Sequence, residues 1–203
     1  WEEVTGDHFF TRMVQRRALL LGAELATALD DPEAAVSYRL EASKIARALE
    51  DHLDPARGVL LPTLRQVRAN QLVQSRVEKT SGLDVAVVLG VLHGEVPAQS
   101  GGFTVQSRAV RRSAELLEAD FLRLYPLNAG SSLLPREEML APAIGRYPED
   151  VYDGTGSSQG HPWFLATNAY AEWHCRRGEG ELGIRYLLRT IHHQGLAGEM
   201  SEQ

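Results

Sequence analysis

Long stretches in which apolar residues return every three or four positions, separated by long segments rich in glycine and proline, constrain this chain more than any other feature. Phe10, Val14, Leu21, Leu25 and Leu29 recur at helical spacing after Asp7, a residue type suited to an N-cap. The DDPE turn at 30–33 ends that helix and opens the next, with Pro32 in its first turn. Val36, Leu40, Ser43, Ala46 and Leu49 mark the second helix face, and Asp54-Pro55 stops it. SGLDVAVVLGVLH begins with capping chemistry and then runs apolar, which predicts a third helix over 84–93. Val110, Ala114, Leu117, Phe121 and Leu124 carry a fourth over 107–125, Pro162 opens a fifth to about 176, and a sixth covers 182–193. GVLLPTL, broken by Pro62, reads as a buried extended piece, and 65–79 is polar and ambiguous. No run alternates as half-buried strands do, so the class is all-α. Connections in a tight four-helix bundle are usually about 2–8 residues, and those here are longer. A toroid of helical hairpins, with loops gathered at one end to carry a site, suits the pattern better.

Composition narrows the function. The 203 residues are 43% hydrophobic and 24% charged, with room for one domain and a sizeable core. A net charge of -6 gives no footprint for nucleic acid, whose binders need clustered cations. Lysine is scarce, and arginine lies mostly among acids, as in RLEASKIARALEDHLD, where helix-face ion pairs are expected. No segment has the roughly 18 apolar residues that span a bilayer, and no signal-peptide pattern or glycosylation sequon is present. The single cysteine, Cys175, makes no internal disulfide and reads as a small buried or half-buried residue. His192 and His193 are adjacent and point to different sides of a helix, His174 stands beside Cys175, and His8 stands alone. None of these spacings supplies the three or four convergent ligands of a zinc site, so no metal is expected.

The richest stretch is GRYPEDVYDGTGSSQGHPWF, 145–164. It places Arg146, Glu149, Asp150 and Asp153 among Tyr147, Tyr152 and Trp163, with glycines that let the backbone approach a ligand. Sugars need this mixture: their C–H faces stack on aromatic rings, and their hydroxyls bond to carboxylates and guanidinium groups. From composition alone, a surface loop stapled by its aromatics and an Arg146–Asp150 ion pair fits as well. At the two ends, WEEV with Glu2 and Glu3, and GEMSEQ with Glu199 and Glu202, read alone as ordinary solvated acids.

Taken together, WEEVTGDHFFTRMVQRRAL, SGLDVAVVLGVLH, GRYPEDVYDGTGSSQGHPWFLATNAYAEW and GEMSEQ resemble, in order and approximate spacing, the fungal-type glucoamylases of glycoside hydrolase family fifteen. The resemblance implies a toroid of six inner and six outer helices, (α/α)6, here partial: incomplete at its N-terminal side and at its C-terminal side. Residues 1–203 would then be a fragment of a single catalytic domain. It implies an exo-acting inverting hydrolase that cuts terminal α-1,4 and, more slowly, α-1,6 glucosidic bonds of starch and maltooligosaccharides. The product is β-D-glucose, no cofactor is needed, and the protein is expected to be secreted. By the same likeness Glu2 is the general acid, Glu3 binds sugar on the leaving side, and Glu202 is the general base that activates water. Trp1, Arg146, Asp150, Tyr152 and Trp163 would bind substrate. His161 departs from the asparagine common in the family before Pro-Trp and is expected to alter local hydrogen bonds more than chemistry.

The chemistry is consistent with these roles. Inversion needs two carboxyls on opposite faces of the bond, about 6.5–9.5 Å apart, with room for a water. The acid must stay protonated, through an apolar surround or a neighbouring like charge, and Trp1 and Glu3 supply both residue types beside Glu2. Family members carry about as much chain again, including a further arginine–aspartate pair, so the 203 residues alone are expected to be unstable or inactive. The alternatives are a non-catalytic glucoamylase-like binding or regulatory domain, and another α-toroid glycosidase such as a trehalase. Retention of both carboxyl candidates speaks against the first, and the Arg-Tyr-Pro-Glu-Asp and Pro-Trp-Phe-Leu motifs against the second.

Overall fold

The computed structural model describes residues 4–68, 79–96, 102–129, 140–152 and 160–200. Trp1, Glu2, Glu3 and Glu202 lie outside the described residues. Helices dominate. The expected six appear as α1 (Phe9–Ala28), α2 (Pro32–Glu50), α3 (Ala86–Gly94), α4 (Arg108–Leu124), α5 (Phe164–Arg176) and α6 (Gly180–His193). A 3-10 turn, Pro126–Asn128, follows α4. The α1–α2 and α5–α6 pairs are the tightly packed hairpins. α1 lies against α3 and α3 against α5, forming an inner row, while α4 packs behind α3.

Two short ribbons accompany the helices, and the extended piece read at 58–64 supplies one strand of each. β1 (Val4–His8) pairs antiparallel with β4 (Thr63–Arg68), and β2 (Leu53–Asp54) with β3 (Val59–Leu60). The first ribbon explains why Asp7 is not the helix cap. Asp7 lies within β1, and its carboxylate pairs with Arg12, 3.0 Å away, and with Arg65. His8 takes the N-cap position without a side-chain capping bond, and the Phe9 amide is satisfied by the Pro62 carbonyl at 2.9 Å. At α2, by contrast, Asp31 accepts from the Ala34 amide at 3.0 Å, with Pro32 in the first turn as expected.

The expected apolar faces of α1 and α2 are also corrected. Leu21, Leu25 and Leu29 are 49%, 61% and 70% exposed, and Val36 and Leu40 are exposed too. Of the expected α2 face Leu49 is buried, and the other buried residues are Phe9, Met13, Arg16, Ala23 and Ala26 on α1 and Ala35 and Ala42 on α2. The reason is steric. Small residues let two helix backbones come close, and they occupy the seam, while Leu25 and Leu29, with Tyr38 and Ile45, line an open cleft of about 880 Å³ beside it. The stripe read for α4 holds: Val110, Ala114, Leu117 and Phe121 are buried.

α3 is buried on nearly every side because it stands between α1 and α5. Two glycines allow this. A Cβ on Gly90 would lie 2.9 Å from the Phe9 ring, and one on Gly94 would lie 2.5 Å from the Met13 Cβ. His52, fully buried between α2 and β2, locks the base of the first hairpin. Its Nδ1 donates to the Leu61 carbonyl at 2.7 Å, and its Nε2 accepts from Arg12 at 3.0 Å. That pattern needs the neutral ring, and burial lowers its pKa accordingly. At the α5–α6 turn, Glu179 accepts from Arg177 at 3.0 Å and meets His174 Nδ1 at 2.7 Å. The Arg177 bonds first, then His174, hold its pKa down to about 2. Cys175 is exposed, which corrects the expectation of a buried or half-buried thiol.

Candidate active site

The loop that enters α5 holds the site candidates the structure describes. The backbone around Ile144 is fixed from α5: the Trp163 amide donates to the Ile144 carbonyl at 2.8 Å, and the Ile144 amide donates to Thr167 Oγ1 at 3.0 Å. Gly145 is pressed under α4, where any Cβ would collide with the Tyr125 hydroxyl and lie 3.0 Å from the Phe121 ring. Those two rings are stacked, with centroids 5.0 Å apart. The next residue, Arg146, therefore leaves the helix surface along a defined line.

Arg146 and Asp150 meet as the ion pair expected of a loop stapled by its own side chains. Arg146 Nε and Nη2 each donate to one carboxylate oxygen of Asp150, both at 2.7 Å, and both side chains are buried. This is the bidentate geometry that a planar guanidinium makes with a carboxylate. Asp150 Oδ1 also accepts the Tyr152 amide at 2.9 Å, and the Asp150 carbonyl accepts the Gly160 amide at 2.7 Å. One carboxylate thus shapes the turn and holds the guanidinium together. Around Arg146 Cζ stand the rings of Trp163 at 4.9 Å and of Tyr147 and Tyr152 at 5.2 Å each. Tyr147 and Trp163 are buried, whereas Tyr152 is 41% exposed and tilts over Trp163 at 6.0 Å. The arrangement is a charged pair at the floor of an aromatic wall whose rim faces solvent, which suits a ligand with both C–H faces and hydroxyl groups.

His161 is exposed, and its backbone carbonyl accepts from the buried Tyr125 hydroxyl at 3.1 Å. Burial, together with the Asp150 charge, pushes that phenol upward and keeps it protonated. Two residues the sequence reading did not single out complete the surroundings. Lys79 pairs with Asp84 at 2.6 Å, and Lys79 Nζ lies 3.9 Å from the Tyr147 ring centroid. The available signal was scarcity: the chain has two lysines, Lys44 and Lys79, and the second falls in an otherwise featureless polar stretch. Among the described residues no cluster of three or more His, Cys, Asp or Glu is placed to hold a metal ion, and no helix is long and apolar enough to cross a membrane.

Packed helical hairpins, with an arginine–carboxylate pair and aromatic wall on a connecting loop, make up the described part of the chain. The chain belongs to the glycosyl hydrolases family 15, whose family model matches residues 1–191. It is 40% identical over 176 residues to Glucoamylase 1 of Rhizopus oryzae, covering 87% of this chain and 27% of that protein. It also matches the solved structure of a glucoamylase from Saccharomycopsis fibuligera, with a TM-score of 0.70 and 33% identity. That match covers 87% of this chain and 34% of the other. A family 15 glucoamylase from Hypocrea jecorina, 24% identical, shares the fold over 100% of this chain and 38% of its own, with a TM-score of 0.77. Both are structures of the (α/α)6 toroid, so the fold expected from the sequence holds. The chain spans about a quarter to two fifths of the proteins it matches.

Proposed function

We propose that residues 1–203 are part of the single catalytic domain of an exo-acting inverting glucoamylase. It would release β-D-glucose from the non-reducing ends of starch and maltooligosaccharides, cutting α-1,4 bonds and, more slowly, α-1,6 bonds. The observation that carries this reading is the buried Arg146–Asp150 pair walled by Tyr147, Tyr152 and Trp163. Family membership supplies the reaction class.

In this reading Arg146 and Asp150 hold the sugar, Trp163 and Tyr152 stack on it, Trp1 also contacts substrate, and Glu3 binds the sugar on the leaving side. Glu2 donates its proton to the glycosidic oxygen as the C1–O bond breaks. Glu202 removes a proton from a water that attacks C1 from the opposite face, so one water is consumed and the configuration inverts. Both protons are accounted for by the two carboxyls. Secretion is part of the proposal only as the resemblance implies it, and a relative from Saccharomyces cerevisiae is named an intracellular, sporulation-specific glucoamylase.

The test uses the full reading frame that carries residues 1–203. Glu2→Gln and Glu202→Gln are each expected to lower maltose turnover by about 10²–10⁴-fold, the range for a lost general acid or base. Proton NMR of the first product should show the β-anomer. The α-anomer appearing first, or full turnover in Glu2→Gln, would refute the assignment. Substrate binding without turnover in the unsubstituted protein would favour the non-catalytic alternative.

A further inference from the structure

The Lys79–Asp84 ion pair has no role in the reading above, yet it is among the most buried charge pairs described, with side chains 2% and 1% exposed. Isolating two charges from water is expensive, and such a pair is often replaceable by apolar residues without loss of stability. Its contacts indicate what it does. Lys79 Nζ sits 3.9 Å from the centroid of the Tyr147 ring, and Arg146 Cζ lies 5.2 Å from the same centroid. Two cations share one aromatic ring, and each has its own carboxylate: Asp84 for Lys79, Asp150 for Arg146.

The rest of the 79–86 segment is bonded to the same loop. The Val85 amide donates to the Arg146 carbonyl at 2.8 Å, and Asp84 Oδ1 accepts the Ala86 amide at 2.8 Å, which fixes that segment to the start of α3. Glu149, three residues beyond Arg146, accepts from Thr80 Oγ1 at 3.1 Å, Ser81 Oγ at 3.0 Å and the Ser81 amide. On its other side the pair lines a cleft of about 340 Å³ shared with His8 and Thr63 of the β1–β4 ribbon. The pair therefore stands between the strand that leads back to Glu2 and the loop that carries Arg146.

We propose that Lys79 and Asp84 are positioning residues: they fix the Tyr147 ring and the Arg146 backbone, and so set where the Arg146 guanidinium meets the sugar. This rests on the glucoamylase reading. A misplacement of about 1 Å in a binding group can lower turnover by roughly 100-fold, so the expected effect is measurable without loss of fold.

The test is a double-mutant cycle in the full reading frame, with maltose as substrate. Lys79→Met/Asp84→Asn leaves neither charge buried alone and keeps an acceptor for the Ala86 amide. It is expected to lower kcat/KM by about 10- to 100-fold. Lys79→Arg, which keeps the charge, should recover most of that loss. In an Arg146→Lys background the same double substitution should reduce kcat/KM by no more than about twofold further, because the group it positions is already altered. Losses that multiply in full across the two backgrounds, or an unchanged kcat/KM in the double variant, would overturn the proposal. Should the double variant fail to fold, Lys79→Gln/Asp84→Asn, which removes both charges and keeps two polar side chains able to bond to each other, is read against the same background with the same criteria. If the unsubstituted protein fails to hydrolyse maltose, the glucoamylase reading falls and takes this proposal with it; if it does hydrolyse maltose and only the coupling is missing, this proposal alone fails.

Discussion

Replacing Asp150 by alanine would remove both charge-assisted hydrogen bonds to Arg146, each 2.7 Å long. At roughly 1.5–3 kcal/mol apiece they come to about 3–6 kcal/mol. An independent estimate, about 3–5 kcal/mol for removing one member of a buried ion pair, describes the same quantity and is not added to it. The Tyr152 amide loses its acceptor at 2.9 Å as well, so the turn into the rim loosens along with the floor. Asp150→Asn keeps the shape and one carbonyl oxygen and should cost about half as much. Urea unfolding of the full reading frame, followed by circular dichroism, reads the difference. The slope is about 2 kcal/mol per molar for a small protein and larger for a longer chain, so a loss of about 3–5 kcal/mol moves the alanine midpoint down by at most about 1.5–2.5 M. Asparagine should fall between alanine and parent. A midpoint for Asp150→Ala within about 0.3 M of the parent, at an unchanged slope, would show that the pair contributes little to holding the loop. The aromatic wall alone would then have to fix Arg146.

Two further outcomes follow from the packing and the protonation pattern. Gly145→Ala should lower Tm, by an overpacking penalty of about 1–3 kcal/mol, because Tyr125 is stacked on Phe121 and has little room to yield; an unchanged Tm would mean that the ring swings aside. Acid should weaken the base of the α1–α2 hairpin through His52, whose folded pKa lies below its ordinary value. The unfolded chain takes up a proton near pH 6.5 that the folded chain refuses, so the contribution is complete above that pH and is lost as pH falls below it. The decline of Tm between about pH 7 and pH 5 should be shallower in His52→Asn, and an identical decline would assign it to other groups.

The helices were legible because each is long and written in local spacing. Where the sequence misled was in choosing which side of a helix is inside. Leucines at 21, 25 and 29 make a more apolar stripe than the alanines beside them, yet close approach of α1 and α2 selects the small residues for the seam. The β1–β4 ribbon was not legible, since its partners are Val4–His8 and Thr63–Arg68 and no local pattern announces a pairing across that separation. Asp7 shows the ambiguity plainly: the residue type suits a cap, but two arginines recruit it instead. Arg146, Asp150, Tyr152 and Trp163 sit within one motif and are neighbours in space. Lys79 and Asp84 join them only through the fold, from a segment whose composition carried no comparable signal.

The β1–β4 ribbon also has a consequence for how this protein can change over time. Residues 4–8 and 63–68 close the chain into a loop whose two ends are bonded together, and the α1–α2 hairpin projects from that closure with its bend at 29–31. A turn inserted at matching places in both helices near that bend would carry it outward by about 5.4 Å while the closed end stayed in register. Length is thus a free variable at one end of the hairpin and a fixed one at the other. The tip can therefore be lengthened or shortened without touching the strand that precedes α1, whereas the ribbon already carries one register irregularity between Thr5 and Asp7, and a further residue in either strand would turn its side chains to the opposite face.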